Sequence, residues 1–204
     1  MHCAAGINDA TSKSLGISVF DDNGDGWPDI FVANDTQPNK LFRNNKNGTF
    51  TDEALSAGVA YSEDGVARGA MGADTSDYDR SGRPHLLVGN FANQMLGLYH
   101  NEGSGPSSTA PKSTVGRASL LSLAFGVFFF DYDLDGLPDI LAVAGHIEEE
   151  IGRVQPRVQY YATQGDALGG LCEAAVWWTG AGAPVPRALH ASDRDLERVP
   201  GQPH

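Results

Sequence analysis

Basic residues are scarce in this 204-residue chain: 14 Lys and Arg stand against 26 Asp and Glu, a formal net charge of −12. That balance argues against a polyanion such as nucleic acid as partner. Cysteine is nearly missing. Cys3 and Cys172 lie near the two ends and supply neither a disulfide framework nor a Cys-x-x-Cys motif, so both read as free thiols. Long apolar runs are lacking too. The longest, Leu120 to Phe130, is broken by Ser122 and is too short to cross a bilayer, so no membrane insertion is expected. The opening MHCAAGINDA has no basic segment followed by an apolar one. No secretory signal is read there, and the chain is expected either to be cytoplasmic or to begin inside a longer protein. Catalytic signatures also fail. Six histidines are scattered, and there is no His-Glu-x-x-His, Gly-x-Ser-x-Gly or phosphate-binding loop. The chain is expected not to be an enzyme.

Aspartate at fixed spacing is what the chain has in quantity. In FDYDLDGLPDI, Asp131, Asp133, Asp135 and Asp139 occupy positions 1, 3, 5 and 9 of a short loop, and Gly136 follows the third carboxylate. Oxygen ligands at alternate residues wrap a hard cation, and the glycine permits the sharp turn, so the pattern points to calcium. Apolar segments on both sides, LSLAFGVFFF and ILAVAG, place the loop between two strands. An EF-hand is excluded, because position 12 is Ala142 rather than Glu and strands, not helices, flank the loop. A metal-free acidic turn is the other alternative, but four such carboxylates would repel one another without a cation.

The motif recurs. FDDNGDGWPDIFVAN repeats it with Asp21, Asn23, Asp25, Gly26 and Asp29, and DYDRSGRPHLLVGN keeps Asp77, Asp79 and Gly82 but has Ser81 and His85 where the outer copies have Asp. The first aspartates are 56 and 54 residues apart, and a glycine stands five residues ahead of each, at Gly16, Gly72 and Gly126. A fixed period of this size marks a propeller, a solenoid or a repeat array. The first copy reads as four strands: residues 15–20, 28–34, 39–45 and, after an Asn47-Gly48 turn, 49–51. The second has strands at 84–90 and 95–101, and the Ser-, Pro- and Gly-rich stretch 101–117 is predicted to be a loop in place of its outer strand. Repeats are placed near 12–66, 67–121 and 122–166, a repeat region of 1–166. Residues 167–204 read as a loosely ordered tail, and 148–151 as one helical turn. The fold class is all-β: a partial β-propeller of about three four-stranded blades with calcium-binding hairpin loops.

The loop Asp-x-Asp/Asn-x-Asp-Gly-x-Pro-Asp, the glycine ahead of it and LFRNNKNGTFTD (41–52) resemble FG-GAP or VCBS repeats, as found in integrin-α-like propellers. VANDTQPN (32–39) and the pair Gly145-His146 are most similar to the ASPIC/UnbV, cartilage-acidic-protein-like members. The resemblance implies a Ca2+-stabilised propeller of extracellular, cell-surface or periplasmic proteins, serving adhesion or ligand recognition. It implies as ligands Asp21, Asn23, Asp25 and Asp29 in the first loop, and Asp131, Asp133, Asp135 and Asp139 in the third. The backbone carbonyls of Trp27 and Leu137 would add position 7. In the second loop Asp77, Asp79 and Ser81 remain, with Arg80 and His85 set against a hard cation, so that site is expected to be weak or empty. The implied partner is a protein or glycan, and three repeats leave apolar blade edges exposed for association. The alternative is a non-catalytic scaffold segment of a larger secreted enzyme.

Overall fold

A computed structural model describes residues 5–103, 106–108, 114–131, 134, 136–145, 147, 153, 173–177 and 187–189. They form three four-stranded antiparallel sheets, each a meander in which consecutive strands are neighbours. The first sheet comprises β1 (Ser14–Phe20), β2 (Asp29–Asn34), β3 (Lys40–Asn44) and β4 (Phe50–Asp52). In the second are β5 (Ala70–Ser76), β6 (His85–Asn90), β7 (Gly97–Asn101) and β8 (Pro106–Ser108). The third has β9 (Ala124–Phe130), β10 (Asp139–Ala144), β11 (Glu173–Trp177) and β12 (Arg187–Leu189). A short helix, α1 (Thr114–Ala118), lies between the second and third sheets in sequence. No described helix is long and apolar enough to cross a membrane.

Two sequence expectations need correction. The outer strand expected to be missing from the second repeat is present as β8, which pairs Pro106 with Asn101 and Ser108 with Tyr99. Proline is tolerated there because it opens an edge strand, where its missing N–H faces no partner. The third sheet is completed by β11 and β12, both within the segment read as a tail; β11 pairs Trp177 with Ile140 and β12 pairs Leu189 with Ala174. The helical turn expected over 148–151 and both cysteines lie outside the described residues.

Packing follows from strand alternation. On β6, Leu86 and Val88 face one way and join Phe31, Ala33, Leu41 and Val59 in a core between the first and second sheets. Leu87 faces the other way and joins Val127, Ile140 and Ala142 against the third. A strand covered on both faces has no polar side to show, which is why PHLLVGN reads as a continuous apolar run. Each fully buried Phe or Leu here contributes about 1.5–3 kcal/mol.

The innermost strands β1, β5 and β9 lie side by side, and their glycines make that possible. A Cβ on Gly16 would meet the Met71 carbonyl oxygen at 2.8 Å, and one on Gly72 would meet that of Phe125 at 2.5 Å. The register slips by one residue beside each of these glycines, between Ser14 and Gly16, between Ala70 and Gly72, and opposite Val143 and Ala144 in the third sheet. Such bulges bend a strand. Polar links also cross the first seam: Ser18 Oγ lies 3.2 Å from Thr75 Oγ1, and Asn101 Nδ2 donates to the Asp22 carbonyl at 2.8 Å. The opposite flank of the first sheet is bare, with Leu15, Ile17 and Val19 each about 60% exposed. Of their counterparts in the second sheet, Ala73 packs against the core shared with the first, Thr75 meets Ser18 across the seam, and Met71 is buried with Ala92 and Leu123.

Candidate functional site

All three Asp-rich segments are the β1–β2-type connections of their sheets, so they emerge at the same end of the molecule. They share one backbone design. The position-6 glycine N–H donates to the position-1 carboxylate in each: Gly26 to Asp21 Oδ2 at 2.7 Å, Gly82 to Asp77 Oδ2 at 2.8 Å and Gly136 to Asp131 Oδ2 at 2.8 Å. These glycines have φ of 84°, 80° and 84°, the left-handed region that favours glycine. Position 4 is left-handed as well, at Gly24 (73°), Arg80 (59°) and Leu134 (60°). Sequence reading missed this because only the first copy carries glycine there.

In the first loop, Asp21 Oδ1 also accepts the N–H groups of Gly24 at 2.8 Å and Asp25 at 3.0 Å. Asn23 Oδ1 accepts the Asp25 N–H, and Asp25 Oδ1 the Trp27 N–H. Asp29 is buried at the base, its carboxylate accepting N–H groups from Asp22 at 3.0 Å and from Asn44 on β3 at 2.8 Å. Burial works upward on the Asp25 carboxyl, but bonds from Asn23, Trp27 and the Lys46 ammonium outweigh it and hold it below the usual range. Four oxygen-bearing side chains and the Trp27 carbonyl on one tight loop are the hard donor set that calcium takes, and Asp21 Oδ2, Asp25 Oδ1 and both Asp29 oxygens each accept one backbone N–H and keep a second lone pair. The first loop therefore fits the ion.

An ion pair braces this loop from beneath. Arg43 on β3 donates to Asp22 Oδ2 at 2.6 Å and to Glu53 Oε2 at 2.7 Å. Burial pushes the Asp22 carboxyl up, and the guanidinium pulls against that shift. In the third loop Asp131, Leu137 and the buried Asp139 stand where the first loop has Asp21, Trp27 and Asp29. Asp133 and Asp135 lie outside the described residues.

The middle loop is built differently. Asp77 Oδ1 and Asp79 Oδ1 both accept the Ser81 N–H, at 2.9 and 3.0 Å. His85, at position 9, is fully buried and its Nε2 lies 2.8 Å from Asp79 Oδ1. Its ring packs against Tyr78, centroids 4.4 Å apart and tilted by 45°, and against His100, 4.4 Å apart and stacked within 12°. Tyr78 Oη lies 3.3 Å from His100 Nδ1. Burial works upward on the Asp79 carboxyl, but the bonds from His85 and Ser81 prevail and hold it well below the usual carboxylate range. The histidines thus are not all scattered: His85 and His100 meet because β6 and β7 pair in register, with Leu86 opposite Tyr99. The only signal in the sequence was that both fall at matching places in the second repeat. Arg80 also crosses to the third loop, donating to the Gly136 carbonyl at 2.7 Å.

Residues 21–88, which hold the first two of these loops and strands β2 to β5, match the model of an FG-GAP-like repeat. The chain carries an FG-GAP-like repeat. Its relatives extend the likeness: Cartilage acidic protein 1 of Mus musculus is 37% identical over 87 residues, 43% of this chain and 13% of that protein. The Homo sapiens protein of the same name is 36% identical over 87 residues, again 43% of this chain and 12% of that protein. The matched stretch thus spans about one-eighth of the length of these relatives. The FG-GAP-like segment is all-β, as its resemblance implied, and the homology to Cartilage acidic protein 1 agrees with the likeness read from VANDTQPN.

Proposed function

We propose that this chain is a calcium-stabilised, propeller-like module of an extracellular protein, its three sheets serving as blades, that recognises a protein or glycan and performs no catalysis. The observation that carries this reading is the first loop, where Asp21, Asn23, Asp25 and Asp29 stand on one tight turn whose position-1 carboxylate is fixed by the Gly26 N–H, a bond that Gly136 and Asp131 repeat in the third loop. The FG-GAP-like match and the relatives support it. The loop carboxylates turn inward on their own backbone N–H groups, an arrangement that suits structural ion binding rather than an open coordination position for substrate. Recognition would fall at the other end of the sheets. There the β4–β5 link and the β6–β7 turn frame a cleft of about 490 Å3, with Glu63, Arg68, Asn93, Gln94 and Met95 among its lining. Asn93 (φ 67°) and Met95 (φ 58°) are held there in the left-handed region, and such strained residues cluster at binding surfaces.

Calorimetric calcium titration of the whole chain, with thermal melting in calcium and in chelator, tests the structural half of this reading. Each filled site should stabilise the fold by about 1.4 kcal/mol when free calcium is ten times its Kd. Asp25→Ala should remove one site from the count, and acidification should weaken binding because the ligands must be carboxylates. Identical melting in calcium and chelator, with no heat of binding, would sink the proposal.

A further inference from the structure

We infer that the middle loop takes no metal, because the buried imidazole N–H of His85 stands in for the cation and closes the loop onto Asp79. The argument starts at the other ring nitrogen. The backbone N–H of Asn101 donates to His85 Nδ1 at 3.0 Å, so Nδ1 offers a lone pair and the ring proton sits on Nε2. Nε2 is then a donor, and the acceptor it faces is Asp79 Oδ1 at 2.8 Å, with Ser81 Oγ at 3.5 Å and Asp77 Oδ1 at 4.0 Å. A hydrogen-bond donor aimed at a carboxylate does locally what a cation does, and it occupies the oxygen that position 3 would give to calcium.

Comparison with the first repeat shows a coordinated exchange. Asn44 N–H donates to Asp29 where Asn101 N–H donates to His85, so the imidazole keeps the acceptor role of the carboxylate. At the two neighbouring places, the ion pair Asp22–Arg43 is replaced by Tyr78 and His100, which both pack against the imidazole, Tyr78 tilted and His100 stacked. Three exchanges together convert an acidic base into an aromatic one. Calcium does not fit what remains: two carboxylates, a serine hydroxyl and a nitrogen, with a guanidinium at position 4. Zinc would suit Asp79, His85 and His100 by residue type. Geometry rules it out, because nearly parallel stacked rings cannot aim both lone pairs at one ion, and Nε2 of His85 carries its proton.

This inference rests on the calcium reading for its contrast with the outer loops, and the test separates the two. Calcium bound per chain is counted by native mass spectrometry for the wild type, Asp21→Asn and Asp77→Asn. Asp21→Asn should lose one ion and Asp77→Asn none; loss of an ion in Asp77→Asn overturns the inference. Independently, 15N NMR of the His85 ring should show Nε2 protonated and Nδ1 bare, unchanged among calcium, zinc and chelator. A wild type that binds no calcium defeats the reading of the previous section and leaves the NMR arm to decide this one. Loss of the Nε2 proton on adding either metal overturns it.

Discussion

Gly72→Ala is expected to destabilise the chain by about 3 kcal/mol, the upper end of the usual range for overpacking a well-filled interior. The added methyl would sit 2.5 Å from the Phe125 carbonyl oxygen and 3.5 Å from the Val127 N. Both atoms belong to a neighbouring inner strand that is itself paired to β10, so neither can rotate aside as a side chain could. The seam between the second and third sheets would have to open, and with it the contacts among Leu87, Val127 and Ile140. Gly126→Ala is the control. Its methyl would meet Phe128 Cε2 at 3.3 Å, the far end of a half-exposed ring, and the lower chain entropy of alanine offsets part of any crowding, so its effect should stay within about 1 kcal/mol. Urea unfolding of the three proteins measures both. Equal midpoints for Gly72→Ala and wild type would mean that the inner strands are not held as close as described.

Arg43→Ala is the second large effect. Asp22 has only 2% of its side chain exposed, and Arg43 is its cation at 2.6 Å. Removing one partner of a fully buried pair costs about 3–5 kcal/mol; Arg43 is about a quarter exposed, so water can reach the vacated place and about 2–3 kcal/mol is expected. The pH dependence has a definite sign. Burial already raises the Asp22 carboxyl against the pull of Arg43, and without the guanidinium it rises further. A carboxyl whose folded value lies above its unfolded value destabilises the fold when ionised, so the deficit is largest near neutral pH and shrinks as pH falls through the folded value. Urea midpoints for wild type and Arg43→Ala should therefore converge on acidification; a deficit that grows in acid would contradict the buried-pair account. Arg43→Lys keeps the charge but cannot bridge both Asp22 and Glu53, and should fall between the two.

Repetition made much of this legible. Strands β1 to β7, β9 and β10 and the shared end of the molecule where the loops emerge follow from apolar runs interrupted by the same Asp-Gly turn. The strands that went unread, β8, β11 and β12, are outermost or near it. Three-residue segments such as Pro106–Ser108 need only complete a sheet whose core is already formed, so no strong pattern is required of them. Position 4 of the loops was hidden for another reason: Arg80 and Leu134 are held left-handed by the bonds around them rather than by their own preference. The Tyr78, His85 and His100 cluster depends on cross-strand register, which sets His85 beside a residue 15 positions further along the chain and leaves no local signature.

The bare flank of β1 has a consequence for how molecules meet. Leu15, Ile17 and Val19 lie on one side of the arc, while Phe128 is half-exposed on the other, beside Gly126. The two flanks are unlike, so copies that cover one another must do so head to tail, a heterologous contact that ends only where the rotation closes a ring and otherwise grows into filaments. Light scattering against concentration distinguishes these outcomes, through a plateau at a fixed mass or a rise without limit. Scattering that stays at the mass of one chain at high concentration would show that the flank draws no second copy.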